Sequence, residues 1–284
     1  MALVTVKELL AKAEKGKYAV GAFNCNNMEI IQAIVAAAEA ENAPAIIQAS
    51  QGAIKYAGLH YIVGLVRVAA QNTKVPIALH LDHGTSFEQV IQCIVYGFTS
   101  VMIDGSKHPL AENIALTKKV VEIAHAVGIS TEAELGKIGG TEDDISVLGK
   151  DAMMTDPQEA KIFVEETGVQ SLAIAIGTAH GQYKFEPELD FERLAKIRSL
   201  VNVPIVLHGS SGVPDKDIIK AISLGVSKVN IDTNIREAFV KGVRSVVAND
   251  PNEIDPRKIL GPAREEMTAI VREKIRLFGS SGKA

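Results

Sequence analysis

The chain has 284 residues, a length that fits one large α/β barrel or two domains of modest size. With 47% hydrophobic and 23% charged residues it has material for a sizeable core and a soluble surface, and a net charge of −4 argues against a nucleic-acid or membrane-surface partner. No stretch approaches the ~18 uninterrupted apolar residues of a membrane span, and any anionic substrate must be held by a local site.

The first element reads as an amphipathic helix within residues 1–17, with Val6, Leu9, Leu10 and Ala13 on one face. It lacks the apolar run and small-residue cleavage site of a secretory signal. Eight short runs rich in Val, Ile and Ala then read as strands, at 19–24, 44–50, 76–82, 100–105, 129–135, 171–177, 204–209 and 228–233. Such runs suit parallel strands covered by helices. Helical periodicities separate them. The first carries Ile30, Ile31, Ile34, Val35 and Ala38 behind the capping pair Asn26 and Asn27. Later ones run near 56–72, 86–96, 110–127, 157–167, 190–200, 215–224 and 234–248, and Gly97, Gly128, Gly168 and Gly225 stand where helices should stop. Eight strand–helix units are enough to close an α/β barrel of the (β/α)8 TIM type. An open doubly wound sheet is the competing fold, but no Gly-x-Gly-x-x-Gly turn follows the first strand.

Two stretches fall outside the repeat. Residues 136–156 follow the fifth strand with four glycines and five acidic residues, and read as a lid or binding loop. Residues 251–284 read as a helical arm packing on the barrel or on a neighbouring subunit. The expectation is one barrel domain over 1–284, with an extra N-terminal helix and this C-terminal arm. Cys25 and Cys93 fall in different elements with no metal spacing, which points to a reducing cytoplasm.

Barrels of this kind keep their chemistry at strand C-terminal ends. There the chain places His83 in PIALHLDHG (76–84), His180 in SLAIAIGTAHG (171–181) and His208 in PIVLHGSSG (204–212). Three imidazoles from three strands can converge on one metal and leave its fourth position open, as a catalytic zinc requires. The other ring nitrogen of each should be oriented by a carbonyl or carboxylate. Alternation turns His80 and Asp82 to the face opposite Leu79 and Leu81, and His80 reads as a hydrogen-bonded, partly buried ring. Asp104 and Glu134 end the fourth and fifth strands on the same rim. They are either ion-pair partners of Lys107 and Lys137 or oxygen ligands beside the metal. Glu132 shares a face with Glu134 without an evident role. The loops after strands seven and eight suit a phosphate. Gly209, Ser210, Ser211 and Gly212 let backbone N–H groups approach an anion, and residues 230–233 open a helix whose N-terminus favours negative charge. Gly181 and Lys184 flank the same region.

The strings GAFNCNN (21–27), ALHLDHG (78–84), TSVMIDGS (99–106), EAELGKIGGTED (132–143), GTAHGQYK (177–184), LHGSSGVP (207–214), VNIDTN (229–234) and DPRKILGPARE (255–265) cover essentially the whole chain. In them the sequence resembles the class II, metal-dependent fructose-bisphosphate aldolases and the closely similar tagatose-bisphosphate aldolases. The resemblance implies Zn2+ on His83, His180 and His208, with Asp104 and Glu134 lining a second or alternative metal position. It implies that Asp82 is the acid/base at the C4 hydroxyl and that Glu142 handles the proton at C3. Gly181, Lys184, Gly209, Ser211, Asn230, Asp232 and Thr233 would form the dihydroxyacetone-phosphate site, assisted by a monovalent cation, K+ or Na+. Asn24 and Ser50 would face substrate. Arg257 would reach the second phosphate, often from the partner subunit of a homodimer or homotetramer. The Ser-Ser of GSSGV departs from the Gly-Thr or Ala-Ser of many relatives, a change that backbone phosphate contacts should survive.

The implied reaction is reversible cleavage of fructose 1,6-bisphosphate to dihydroxyacetone phosphate and glyceraldehyde 3-phosphate, as in glycolysis and gluconeogenesis. Tagatose 1,6-bisphosphate is the alternative substrate; Asp232 resembles the fructose members, where the tagatose group more often has a small apolar residue. A metal-dependent hydrolase on the same barrel would usually show His-x-His on the first strand, and GAFNCN lacks it. A Schiff-base aldolase needs a lysine in an apolar pocket, usually on the sixth strand, and SLAIAIG has none. A phosphosugar-binding barrel without activity gives no reason for Asp82 beside three ligands.

Overall fold

Strands buried on both faces need cover on both sides, and here the sheet closes on itself while helices wrap its outside. The computed structural model of the protein describes residues 3–142, 145–147, 153–181, 183 and 187–284. Its described strands are β1 (Val20–Asn24), β2 (Ala45–Ala49), β3 (Ile77–Gly84), β4 (Ser100–Ile103), β5 (Ser130–Leu135), β6 (Gly139–Glu142), β7 (Ile145–Val147), β8 (Ser171–Ile174), β9 (Ala179–His180), β10 (Ile205–Leu207) and β11 (Val226–Ile231). The helices are α1 (Val6–Gly16), α2 (Met28–Ala40), α3 (Gln51–Ala57), α4 (Leu59–Gln71), α5 (Phe87–Tyr96), α6 (Leu110–Ala126), α7 (Pro157–Thr167), α8 (Phe191–Leu200), α9 (Asp215–Ser223), α10 (Thr233–Asn249) and α11 (Pro256–Leu277). Eight parallel strands close the barrel in the order β1, β2, β3, β4, β5, β8, β10, β11 and back to β1. This is the (β/α)8 barrel that the alternation of strands and helices predicts.

The N-terminal helix plugs one end. Thr5 caps α1 by accepting the Glu8 N–H, and Val6, Leu9, Leu10 and Ala13 are buried. They pack with Val20, Ala22, Ile46 and Ala78, from the N-terminal halves of β1, β2 and β3. One step up the same inward face the residues become polar: Asn24, Gln48 and His80, all buried. The barrel interior is therefore apolar at the bottom and polar toward the C-terminal ends.

Four departures from the expected elements bear on the site. The helix expected near 56–72 is α4, and an unexpected short helix, α3, precedes it, the two separated at Gly58, whose φ of 88° no L residue adopts comfortably. The sixth and seventh barrel strands stop at Ile174 and Leu207, before the histidines that follow them. The third strand instead runs on through His83 to Gly84. Part of the 136–156 segment is an antiparallel pair, β6 with β7, and β6 also pairs in parallel with β9.

The C-terminal arm packs on its own barrel. α11 lies against α10 and α2, and Gly242 of α10 comes so near the Ala263 backbone that a side chain there would overlap it. Beyond α11 the Gly282 N–H donates to the Glu41 carbonyl (2.8 Å) and the Ala284 N–H to that of Asn42 (3.0 Å). Glu41 also receives Arg272, Arg276 and Ser281, which holds its carboxyl down at about 2. Among the described residues no helix is long and apolar enough to cross a membrane.

Candidate metal and active site

A β-bulge builds the first part of the site. Leu81 pairs with Val101 but Gly84 pairs with Ile103, so β3 carries one residue more than β4 across that interval. The extra residue is taken up at His83, whose φ of 47° lies in the left-handed region. A non-glycine residue there stores strain, of order 1–3 kcal/mol, that the surroundings must hold. The result is that Asp82 and His83, neighbours in sequence, are both buried at the same end of the barrel.

His208 follows β10 and His180 sits in β9, six residues past the end of β8. The three imidazoles meet: ring centroids are 4.7 Å apart for His83 and His208, 5.0 Å for His83 and His180, and 6.0 Å for His180 and His208. One ligand atom from each lies within 4.8 Å of the others, and His83, Asp104 and Glu134 meet the same criterion. His83 Nδ1 is 2.9 Å from Asp104 Oδ2, and His208 Nε2 is 3.0 Å from Glu132 Oε1. Carboxylates can only accept, so His83 carries its proton on Nδ1 and His208 on Nε2. Their remaining nitrogens, His83 Nε2 and His208 Nδ1, face each other at 3.0 Å.

Two lone pairs at that distance call for a shared cation or proton. Glu134 adds a second demand. Among the described residues its Oε2 is buried without a hydrogen bond, and it stands 3.9 Å from Nδ1 of both His83 and His208. Burial, then the charge of Asp104, push its carboxyl well above the usual range. Burial opposes a charged His83, yet Asp82 and the hydrogen bond to Asp104 outweigh it and raise that imidazole well above its ordinary value. His208 is lowered by burial, then by His83 and Lys228. Burial works against an ionised Asp104, but His83 and the Ser106 hydrogen bonds hold it well below the ordinary carboxylate range. Among the described residues the ion-pair partners of Asp104 and Glu134 are His83 and His208, not Lys107 or Lys137. Three imidazoles and an orphaned carboxylate oxygen fit a divalent transition metal, zinc among them.

Asp82 sits beside this cluster in a cradle of amides. It accepts from Asn24 Nδ2 (2.8 Å) and Gln48 Nε2 (3.0 Å) on Oδ2, and from Asn230 Nδ2 (3.3 Å) on Oδ1. Gln48 Nε2 also reaches Asn24 Oδ1 at 2.6 Å. Asn24 and Asn230, expected to face substrate, here orient Asp82. Gln48 was not among the expected residues, although alternation along β2 puts it on the inner face with a polar head group.

The two loops read as a phosphate cradle touch each other. Ser211 Oγ accepts the Asp232 N–H at 3.3 Å, and Thr233 opens α10. Asp232 Oδ1 takes Arg236 Nε at 2.7 Å. Gly209 has φ 62°, and a Cβ on it would stand 2.5 Å from the Ala179 carbonyl oxygen. Tyr183 ties that approach together: its hydroxyl donates to the Gly209 carbonyl (2.8 Å) and accepts the Ala179 N–H (2.6 Å). Gly181, φ 83°, follows His180 directly. Ser50 caps α3 by accepting the Ala53 N–H at 3.2 Å. Arg257 is 90% exposed and pairs with Asp255 in a surface cleft with Met28, Glu29 and Gln32. Lys184 and the side chain of Glu142 lie outside the described residues; the Glu142 backbone ends β6. Tyr183 and Arg236 gave no signal in the sequence beyond their nearness to the phosphate motifs.

Residues 4–283 match the family described as fructose-bisphosphate aldolase class-II. A fructose-bisphosphate aldolase of Geobacillus stearothermophilus is 52% identical over 100% of this chain and 99% of its own length. One from Thermus caldophilus is 48% identical over 99% of this chain and 100% of its own. Among solved structures, the YdjI aldolase of Escherichia coli K12 superposes with a TM-score of 0.87 at 35% identity, covering 99% of each chain.

Proposed function

The chain belongs to the class-II fructose-bisphosphate aldolase family, and we propose that it cleaves fructose 1,6-bisphosphate reversibly, with zinc, to dihydroxyacetone phosphate and glyceraldehyde 3-phosphate. The observation that carries this reading is Asp82, buried against three convergent imidazoles and hydrogen-bonded, among the described residues, by neutral amides alone. The family is metal-dependent. His83, His180 and His208 would hold the ion, with Asp104 and Glu134 at an alternative position. A divalent ion bound there supplies Lewis acidity toward a ketone oxygen and stabilises the negative charge left when the C3–C4 bond breaks, an effect worth several kcal/mol.

The chain's own groups do the rest. Asp82 takes the C4 hydroxyl proton as the aldehyde forms and returns it in the condensation direction. Asn24, Gln48 and Asn230 donate to its carboxylate and fix its direction. Glu142 delivers the proton to C3 of the three-carbon fragment. Its strand is hydrogen-bonded to β9, which ties its backbone to that of His180. Gly181, Gly209, Ser211 and Thr233 would hold the first phosphate against the α10 N-terminus, with Lys184 and a monovalent cation, K+ or Na+, while the Asp232 carboxylate would stand over the substrate near C4. Arg257 is turned to solvent, as suits a residue that serves the neighbouring subunit of a homodimer or homotetramer. The reaction belongs to glycolysis and gluconeogenesis in a cytoplasmic setting.

Tagatose 1,6-bisphosphate, the C4 epimer, is the second reading, and Asp232 favours the fructose substrate. Measuring kcat/KM of the zinc-loaded enzyme on both bisphosphates tests the choice. A higher value for fructose bisphosphate is expected; a higher value for tagatose bisphosphate reverses the assignment. Release of inorganic phosphate instead of triose phosphates would point to a hydrolase.

A further inference from the structure

Below the imidazoles the barrel holds an ion pair that the reaction above does not use. Lys228 of β11 and Glu132 of β5 are both fully buried, with Lys228 Nζ 3.0 Å from Glu132 Oε1 and 2.9 Å from Oε2. Two charges taken out of water carry a desolvation penalty that an apolar pair of similar volume avoids, so a buried ion pair is poorly explained by stability alone. Its neighbours say more. His80 Nε2 stands 3.7 Å from Glu132 Oε2, too far for a hydrogen bond, while its Nδ1 meets Ser100 Oγ at 2.8 Å. The hydrogen bond that leaves the pair goes to His208, from Nε2 to Glu132 Oε1 at 3.0 Å.

We infer that Glu132 and Lys228 are positioning residues for the metal centre: the lysine hydrogen-bonds one carboxylate oxygen and stands within ion-pair distance of the other, and the carboxylate holds His208 in the tautomer whose Nδ1 lone pair faces His83 and His180. This rests on the three histidines being the ligands. An imidazole protonated on Nδ1 cannot ligate through that atom, so fixing the proton on Nε2 prepares the site before an ion arrives. Lys228 has a second effect. Asp104 and Glu134 already put two carboxylates beside the imidazoles, and an unpinned Glu132 would be drawn to a divalent ion as a third. Tied to Lys228, it stays behind His208 and acts through it.

The test compares the wild type with the double variant Glu132→Leu, Lys228→Met, which removes both charges together and keeps the volume. Zinc dissociation constants are measured by chelator competition, and melting temperatures on the metal-free proteins. The expected double variant melts near the wild-type temperature without metal yet binds zinc ~10–100-fold more weakly. Wild-type zinc affinity in that variant would overturn the inference and leave the ligand assignment standing. A wild type that binds no zinc would overturn both. Should the double variant not fold, the ¹⁵N spectrum of the wild-type histidines decides: His208 protonated on Nε2 supports the inference, and protonation on Nδ1 overturns it.

Discussion

Gly140 runs so close beside His180 that a side chain on its Cα would overlap the His180 carbonyl oxygen. The two are register partners in the parallel pairing of β6 with β9, and Gly140 has φ 98°. Positive φ and lack of room fall on the same residue, so glycine is required twice over. The segment after the fifth barrel strand thereby sets where one of the three imidazoles stands.

Gly140→Ala should displace His180 while the barrel stays folded, because β6 and β9 lie outside the closed sheet. Zinc affinity should fall by ~10-fold or more, and the strained backbone should lower stability by roughly 1–3 kcal/mol. Chelator competition and thermal melting measure the two effects. Unchanged zinc affinity would mean that β6 does not hold the ligand in place.

Asp82→Asn should keep zinc and lose turnover. The amide fills the same space between Asn24, Gln48 and Asn230 but cannot take a proton, so kcat should fall by ~10²–10⁴. Turnover near that of wild type would place the base elsewhere.

The barrel was legible because strands and helices alternate with distinct hydrophobic periods, and Val6, Leu9, Leu10 and Ala13 are buried as their spacing implies. His83 and His208 were legible because strand ends can be read. His180 was less so, since β8 stops at Ile174 and a separate two-residue strand carries it. Lys228 was not legible at all: a lysine in a strand pattern reads as solvated, and only the fold shows Glu132 across the barrel to neutralise it. Gln48 failed to register for a similar reason. Alternation gives the face a side chain points to, but not the partner it meets there.

Asp232→Ala should separate the C4 epimers. The carboxylate is oriented by Arg236 at 2.7 Å, and a group that pairs with one epimer leaves a polar group unpaired with the other, worth ~1–3 kcal/mol. The fructose-bisphosphate kcat/KM should fall strongly and the tagatose-bisphosphate value much less. An equal fall would mean that Asp232 serves only to order the loop through Ser211 and Arg236.

The C-terminal clasp should be acid-sensitive. Arg276, Arg272 and Ser281 hold Glu41 at about 2, below its ordinary 4.5. A depressed carboxyl contributes stability that is complete above its unfolded value and is lost as pH falls through the folded one. The contribution should fade between about pH 4.5 and 2. It should amount to roughly 1 kcal/mol, since solvent around the partly exposed arginines screens the pair. Glu41→Gln should melt lower than wild type at pH 7, and the gap should close toward pH 2. A constant gap across that range would show that the charge of Glu41 is not what holds the arm.

The most direct test of the metal-centred site is fructose 1,6-bisphosphate cleavage by the purified protein, followed as triose phosphate release before chelation, after it, and after zinc is restored. Activity should disappear with the chelator, return with zinc, and survive borohydride added with dihydroxyacetone phosphate. A metal-free protein that still cleaves the substrate at full rate, and that borohydride inactivates in the presence of dihydroxyacetone phosphate, would show that a lysine Schiff base carries the reaction and that His83, His180 and His208 do not.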